Sequence, residues 1–329
     1  MGSFKKFLKI TVSALLLWLL FKRFDWASFS PIAKGIKGVW LIPVICLGPF
    51  GILLLAIRWR LFLVKLGIDL PLTKSARGVW TGAFFNVFLP GSTGGDFYRL
   101  IFVRVLFPES ESKITSSLVL DRLFGVGALI FLGALGVIFE EHLFVHMLSE
   151  VGPIKTSTLF LVVSVGLVGL TFLFYVLIAA HEGSWLGKCR AFVWAMTLQI
   201  RTELTDPVLI LRAFGLALGM HLLSFASGYF ISKALGLNIG FIELALFTSG
   251  SALIMALPIS INGFGVREVL LVGFFQFNGF SCGNGIGIKE SAIAYSLIGV
   301  ACDLIRVAPG GIWFALAKEA KTASTEKKR

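Results

Sequence analysis

Long apolar stretches follow one another along this chain from about Phe7 to Leu316, and the polar connections between them stay near or below about 30 residues. Nothing else in the sequence limits the fold as much. Inside hydrocarbon every backbone N–H and C=O must find a partner within the protein, which leaves helices and closed barrels as the spanning structures. The stretches here are continuously apolar and do not alternate, so they read as helices. With 57% hydrophobic residues and 32 Phe in 329 positions, and a mean hydropathy of +0.89, the chain exceeds what a soluble globule carries. The fold class is an all-α, polytopic integral membrane protein.

Taken in order, Lys5, Lys6 and Lys9 precede an apolar run from Ile10 to Phe21 with no small-residue cleavage site after it, read as an uncleaved first span. Residues 22–38 mix Phe24, Trp26, Phe29 and Ile32 with Lys and Ser, as a helix lying at the interface does. Further crossings are expected at 39–57, ending at Arg58 and Arg60, and at 117–139, 158–180, 208–231 and 291–316. Asp206-Pro207 supplies an N-cap and a first-turn proline for the crossing at 208–231. Residues 1–317 form one transmembrane domain, with repeat halves at about 39–139 and 208–316. Residues 318–329 form a basic cytoplasmic tail.

Two apolar regions are interrupted in the same way. Leu89-Pro90-Gly91-Ser92-Thr93-Gly94-Gly95-Asp96-Phe97-Tyr98-Arg99 is echoed by Leu257-Pro258-Ile259-Ser260-Ile261-Asn262-Gly263-Phe264-Gly265-Val266-Arg267-Glu268. In each, an arginine stands nine positions after the proline, and the prolines at 90 and 258 lie 168 positions apart. Proline ends a helix and adjacent glycines let several N–H groups face one concavity. The flanking runs, 78–89 with 97–107 and 241–257 with 264–277, are shorter than the ~20 residues of a full crossing. Two re-entrant, broken-helix hairpins are therefore expected, one in each half of an inverted repeat.

Placing both termini in the cytoplasm puts 18 Lys and Arg on the inner side and 7 on the outer, in the sense of the positive-inside bias. The hairpins then enter from opposite faces. The formal net charge of +12 comes from residues scattered at segment ends, which fits attraction to anionic lipid and not a nucleic-acid stripe. Cys46, Cys189, Cys282 and Cys302 have no paired or metal-type spacing and read as packing residues.

Charged residues at membrane depth mark the candidate site, because each costs roughly 2.5–3.5 kcal/mol at a helix centre without a partner or a wet cavity. Asp96, Arg99, Asp121, Arg122, Arg267, Glu268, Asp303 and Arg306 are of this kind. Asn86 and Asn262 beside the breaks add neutral hydrogen bonds, and Gly94, Gly95 and Gly263 add backbone donors. Arginine's planar fork matches phosphate, so these thirteen residues form a candidate substrate site for an anionic lipid head group. The same charges also suit ion pairs that only stitch the bundle together. His142 and His146 read as a solvated loop end, and His221 as an interhelical hydrogen bond. No phosphate-binding lysine follows the glycines, and no nucleotide-sugar metal pair, serine elbow or zinc-protease pair is present. No catalytic residue, metal or cofactor is expected.

The first break with Arg99, then Asp121-Arg122-Leu123, then Pro258 through Asn262-Gly263-Phe264-Gly265-Val266-Arg267-Glu268 resemble the flippase-like membrane domain of lysylphosphatidylglycerol synthases. That resemblance implies a lipid-translocating module, and some relatives take part in polyprenyl-phosphate glycosylation. The chain stops just after its last apolar run, so a stand-alone member without the soluble aminoacyl-transferase domain is expected, and synthase activity is not carried over. The leading reading is a plasma-membrane flippase or transporter for a phospholipid or a polyprenyl phosphate, with a separately encoded lipid-modifying enzyme as a further partner. The alternatives are a membrane transferase acting on polyprenyl-linked sugars, with Asp96 or Glu268 as base, and a non-catalytic partner of a separate enzyme.

Overall fold

The computed structural model describes residues 35–87, 94–139, 194, 205–255, 266–282 and 287–316. The expected spans at 10–21 and 158–180, both breaks with Asn262 and Gly263, most of the interfacial stretch at 22–38, the histidines at 142 and 146 and the basic tail lie outside those residues. Eight α-helices are present among them: α1 Leu41–Lys65, α2 Leu72–Asn86, α3 Gly94–Leu106, α4 Glu111–Phe139, α5 Pro207–Ala234, α6 Phe241–Met255, α7 Val266–Asn278 and α8 Ile288–Leu316. No strand occurs among the described residues. A 3-10 turn at Gly38–Trp40 leads into α1, and with it α1, α4, α5 and α8 are long and apolar enough to cross a membrane.

Several boundaries differ from the sequence expectation, and α1 differs most. It does not stop at Arg58 but runs on to Lys65, and Arg58 inside it is 3% exposed. A charge ends a span only when it needs water, and here a carboxylate partner replaces the water. The stretch 58–77 is thus mostly helix. It is broken by a turn at Gly67 and resumes as α2 at Leu72, six residues before the expected start. Similarly, α4 opens at Glu111 and not at 117, and α8 at Ile288 and not at 291.

Among the described residues the helices of the two halves are alike in length. The first half gives 28 residues (Gly38–Lys65), then 15, 13 and 29, and the second half gives 28, 15, 13 and 29. The turns after the first helix of each half also match. Leu66-Gly67-Ile68-Asp69-Leu70 and Leu235-Gly236-Leu237-Asn238-Ile239 both place glycine at positive φ, +82° and +69°. Their N–H groups close the helix on equivalent carbonyls: Leu66 on Phe62, Gly67 on Val64 and Ile68 on Leu63, against Leu235 on Ile231, Gly236 on Lys233 and Leu237 on Ser232. A left-handed glycine after the last helical residue is what lets these otherwise orphaned carbonyls be capped.

Packing follows the same exchange. Helices α1 and α5 lie against each other at the centre, α2 of the first half packs on α8 of the second, and α6 of the second packs on α4 of the first. At the α2–α8 contact, a Cβ on Gly310 would run into the Trp80 carbonyl. The missing side chain lets Thr81 Oγ1 donate to Gly310 O at 3.2 Å and Trp80 Nε1 donate to Arg306 O at 2.7 Å. Of the two larger apolar cores, one lies within the first half around Trp59, Leu63 and Val103, and one gathers Leu244, Phe275 and Ile298 of the second half with Val44 of α1.

Candidate functional site

A cavity of about 490 Å³ lies between the halves, walled by α1, the C-terminal ends of α2 and α6, α5, the start of α7 and the middle of α8. Most of its wall is apolar or small. Into it come Asn86, His221, Thr248, Ser251, Arg267, Tyr295, Ser296, Asp303 and Arg306.

Arg306 and Asp303, one turn apart on α8, pair at 2.9 Å. Their side chains keep 37% and 43% of their surface exposed, so each can turn to a ligand. The Arg306 stem passes over Gly48 of α1, where a Cβ would come within 2.7 Å of Arg306 Cδ. Its position is fixed further by the Trp80 indole, which donates to the Arg306 carbonyl. Arg267, the second residue of α7, has Nε 3.5 Å from Glu268 Oε1, and the Ser296 hydroxyl donates to the same oxygen. Each arginine in the wall therefore has a carboxylate beside it. His221 Nε2 lies 2.9 Å from Gly125 O of α4. A carbonyl only accepts, so Nε2 carries the proton and the ring joins α5 to α4, as the sequence reading has it.

The other sequence-predicted charges assemble elsewhere, in a compact cluster of the first half. Arg58 Nε donates to Asp121 Oδ1 at 2.7 Å and Arg99 Nη2 to Asp121 Oδ2 at 2.9 Å. Arg99 Nη1 reaches Asp96 Oδ1 at 3.1 Å, and Arg122 Nε donates to Asp96 Oδ2. The Arg99 guanidinium lies 4.2 Å over the Trp59 ring, and the Trp59 indole donates to Ser117 Oγ at 3.1 Å. Arg58, Arg99 and Asp121 are buried. Gly94 and Gly95 open α3, and Gly95 N donates to Asn86 Oδ1.

The thirteen candidates thus divide. Asn86, Arg267, Asp303 and Arg306 line the cavity, with Glu268 at its edge through Ser296. Asp96, Arg99, Asp121 and Arg122 form the first-half cluster with Arg58. Sequence reasoning missed Arg58 and Trp59. The sign available was Asp121 inside an apolar run, a carboxylate that called for a cation from another helix. It also placed Arg99 and Arg267 as equivalents, but in the helices Arg99 is the sixth residue of α3 and Arg267 the second of α7. The two arginines stand on different turns.

The model of the lysylphosphatidylglycerol synthase transmembrane region matches residues 6–305. The chain belongs to that family. A UPF0104 membrane protein of Pyrococcus horikoshii is 28% identical over 127 residues, 37% of each chain, so the match spans little more than a third of that relative's length. The family's membrane region accounts for every helix described here except the last turns of α8, and for both charge clusters apart from the α8 residue Arg306.

Proposed function

We propose that this chain moves a phosphate-bearing anionic lipid, a phospholipid or a polyprenyl phosphate, across the plasma membrane, with the head group entering the cavity between the halves. The observation that carries the reading is Arg267 and Arg306 in the wall of a cavity bounded by helices of membrane-spanning length. Guanidinium forks inside a membrane region are costly unless they meet an anion, and two in one cavity suit a phosphate with its oxygens shared between them. Asn86, Thr248 and Ser251 add neutral hydrogen bonds, while the apolar walls suit the first carbons of the chains.

In this reading the helix lengths and exchanged packing come from an inverted repeat, with α2–α3 and α6–α7 as re-entrant hairpins and both termini cytoplasmic. Membership of a lipid-associated membrane family supports it. The transferase reading needs a free base at a break, yet both oxygens of Asp96 are engaged by Arg99 and Arg122.

The test is head-group-resolved translocation in proteoliposomes. Fluorescent phosphatidylglycerol, cardiolipin and undecaprenyl phosphate should cross faster than in protein-free vesicles, and a phosphate-free glycolipid should not. Equal rates for the glycolipid would remove the phosphate from the account.

A further inference from the structure

The repeat allows each cavity residue to be compared with its counterpart in the other half, helix position by helix position. The small residues Ser227 and Gly228 on α5, Leu271 on α7 and Gly299 on α8 all line the cavity. Their counterparts on α1, α3 and α4 are Arg58, Trp59, Arg99 and Arg122. Where these second-half residues line the cavity, the first half carries the buried indole of Trp59, the buried guanidiniums of Arg58 and Arg99, and the exposed Arg122. Trp59 is 0% exposed, Arg58 3% and Arg99 5%.

Within this cluster two buried arginines, Arg58 and Arg99, share one buried carboxylate, Asp121, and Arg99 also meets the half-buried Asp96. Arg58 Nη1 and Arg99 Nε are buried and meet no acceptor among the described residues. Buried guanidinium donors left over in this way are costly as a mere stitch, because buried donors are normally matched. The cluster has the composition of an anion site in which carboxylates hold some of the arginine donors.

We infer that the first half contains a second, occluded binding position for the same phosphate group, with Arg58 and Arg99 as its ligands. Trp59 fills the space, and the oxygens of Asp121 and Asp96 stand where phosphate oxygens would bind. Opening of this side would swing Trp59 out and let the lipid phosphate replace the carboxylates, as the cavity of the second half closes. Trp59 is then a gate, and Ser117, which accepts its indole N–H, is the catch. This inference rests on the transport reading but is tested apart from it.

The experiment uses the full chain with its four cysteines replaced by serine, reconstituted in vesicles, carrying Ser117→Cys as reporter. Ser227→Cys, in the cavity wall, serves as the open reference. Alkylation by a water-soluble maleimide is followed in phosphatidylglycerol vesicles, in phosphatidylcholine vesicles, and in the latter with added inorganic phosphate. Position 117 should react slowly, and adding Trp59→Gly, the counterpart residue, should speed it by about tenfold or more as the closed state loses its filling. Phosphatidylglycerol should slow the reaction in the Trp59→Gly background, and inorganic phosphate should do so only if the site takes free anion. Leu118→Cys, on the counterpart position of cavity-lining Tyr295, repeats the test should Ser117→Cys fail to fold. No labelling at 117 or 118 while lipid transport proceeds would overturn the gate and leave the transport reading standing. Phosphatidylglycerol-dependent labelling without transport would keep the site and remove the transport.

Discussion

Asp121 and Asp303 are both carboxylates inside apolar runs, and the sequence treats them alike, but their surroundings differ. Asp121 is buried between two guanidiniums, whereas the Asp303–Arg306 pair stands in the cavity wall with over a third of each side chain exposed. Removing one member of a buried pair costs roughly 3–5 kcal/mol, while an exposed pair is worth under ~1 kcal/mol. Asp121→Ala should therefore collapse the yield and the melting temperature in detergent. Asp303→Ala should melt within a few degrees of wild type and lose transport. Arg58 shows why this scale was only half legible. Its position at the end of an apolar run looks like a membrane boundary, and its partner is 63 residues away on α4. Arg99 and Asp121 were visible because charge inside a run needs a reason. Which charges share one cluster depends on helix packing, which no local pattern contains.

At the scale of the elements, caps and glycines set the helix ends. Asp206 accepts from Val208 and Leu209 N–H at 3.1 Å each and from Lys65 Nζ at 2.8 Å. The Lys65 ammonium and the two backbone donors hold its carboxyl below the usual carboxylate range. A carboxylate lowered on folding adds stability that is present above its unfolded pKa, near 4, and is lost as pH falls through the folded value. Asp206→Asn keeps the cap and loses the charge. The melting difference between wild type and this variant should thus be constant at neutral pH and shrink below about pH 4. A difference unchanged down to pH 2 would mean that the Lys65 pair contributes nothing. Gly310→Ala places a methyl group against the Trp80 backbone and should lower the melting temperature by several degrees, with the α2–α8 contact loosened.

The helices themselves were readable from apolar run length, and the cap Asp206-Pro207 from its residue types. The Leu-Gly turns at 67 and 236 are a plain likeness between the halves, since they share residue types and hydrogen bonds. They were passed over because the stretch 58–77 read as a connection. Counting from the prolines aligned Arg99 with Arg267, whereas counting back from the helix ends at Leu106 and Asn278 aligns Asp96 with Glu268, ten residues before each.

For the whole molecule, the exchanged packing of α2 on α8 and α6 on α4 makes one bundle from two halves, and the cavity lies where they meet. Ser227, Gly228 and Gly299 line it at positions where the first half has Arg58, Trp59 and Arg122. Orientation is tested by single-cysteine labelling of intact cells: positions 149 and 283 should react with an impermeant reagent from outside, and position 110 should not. The account as a whole turns on Arg267 as a phosphate ligand, because a lysine there keeps the charge and loses the bidentate fork. The most direct measurement is therefore head-group-resolved transport by Arg267→Lys in proteoliposomes, with Arg99→Lys beside it and melting curves as the control for folding. The account predicts normal melting for Arg267→Lys with most transport of phosphatidylglycerol and undecaprenyl phosphate lost. Wild-type rates in that variant would contradict it.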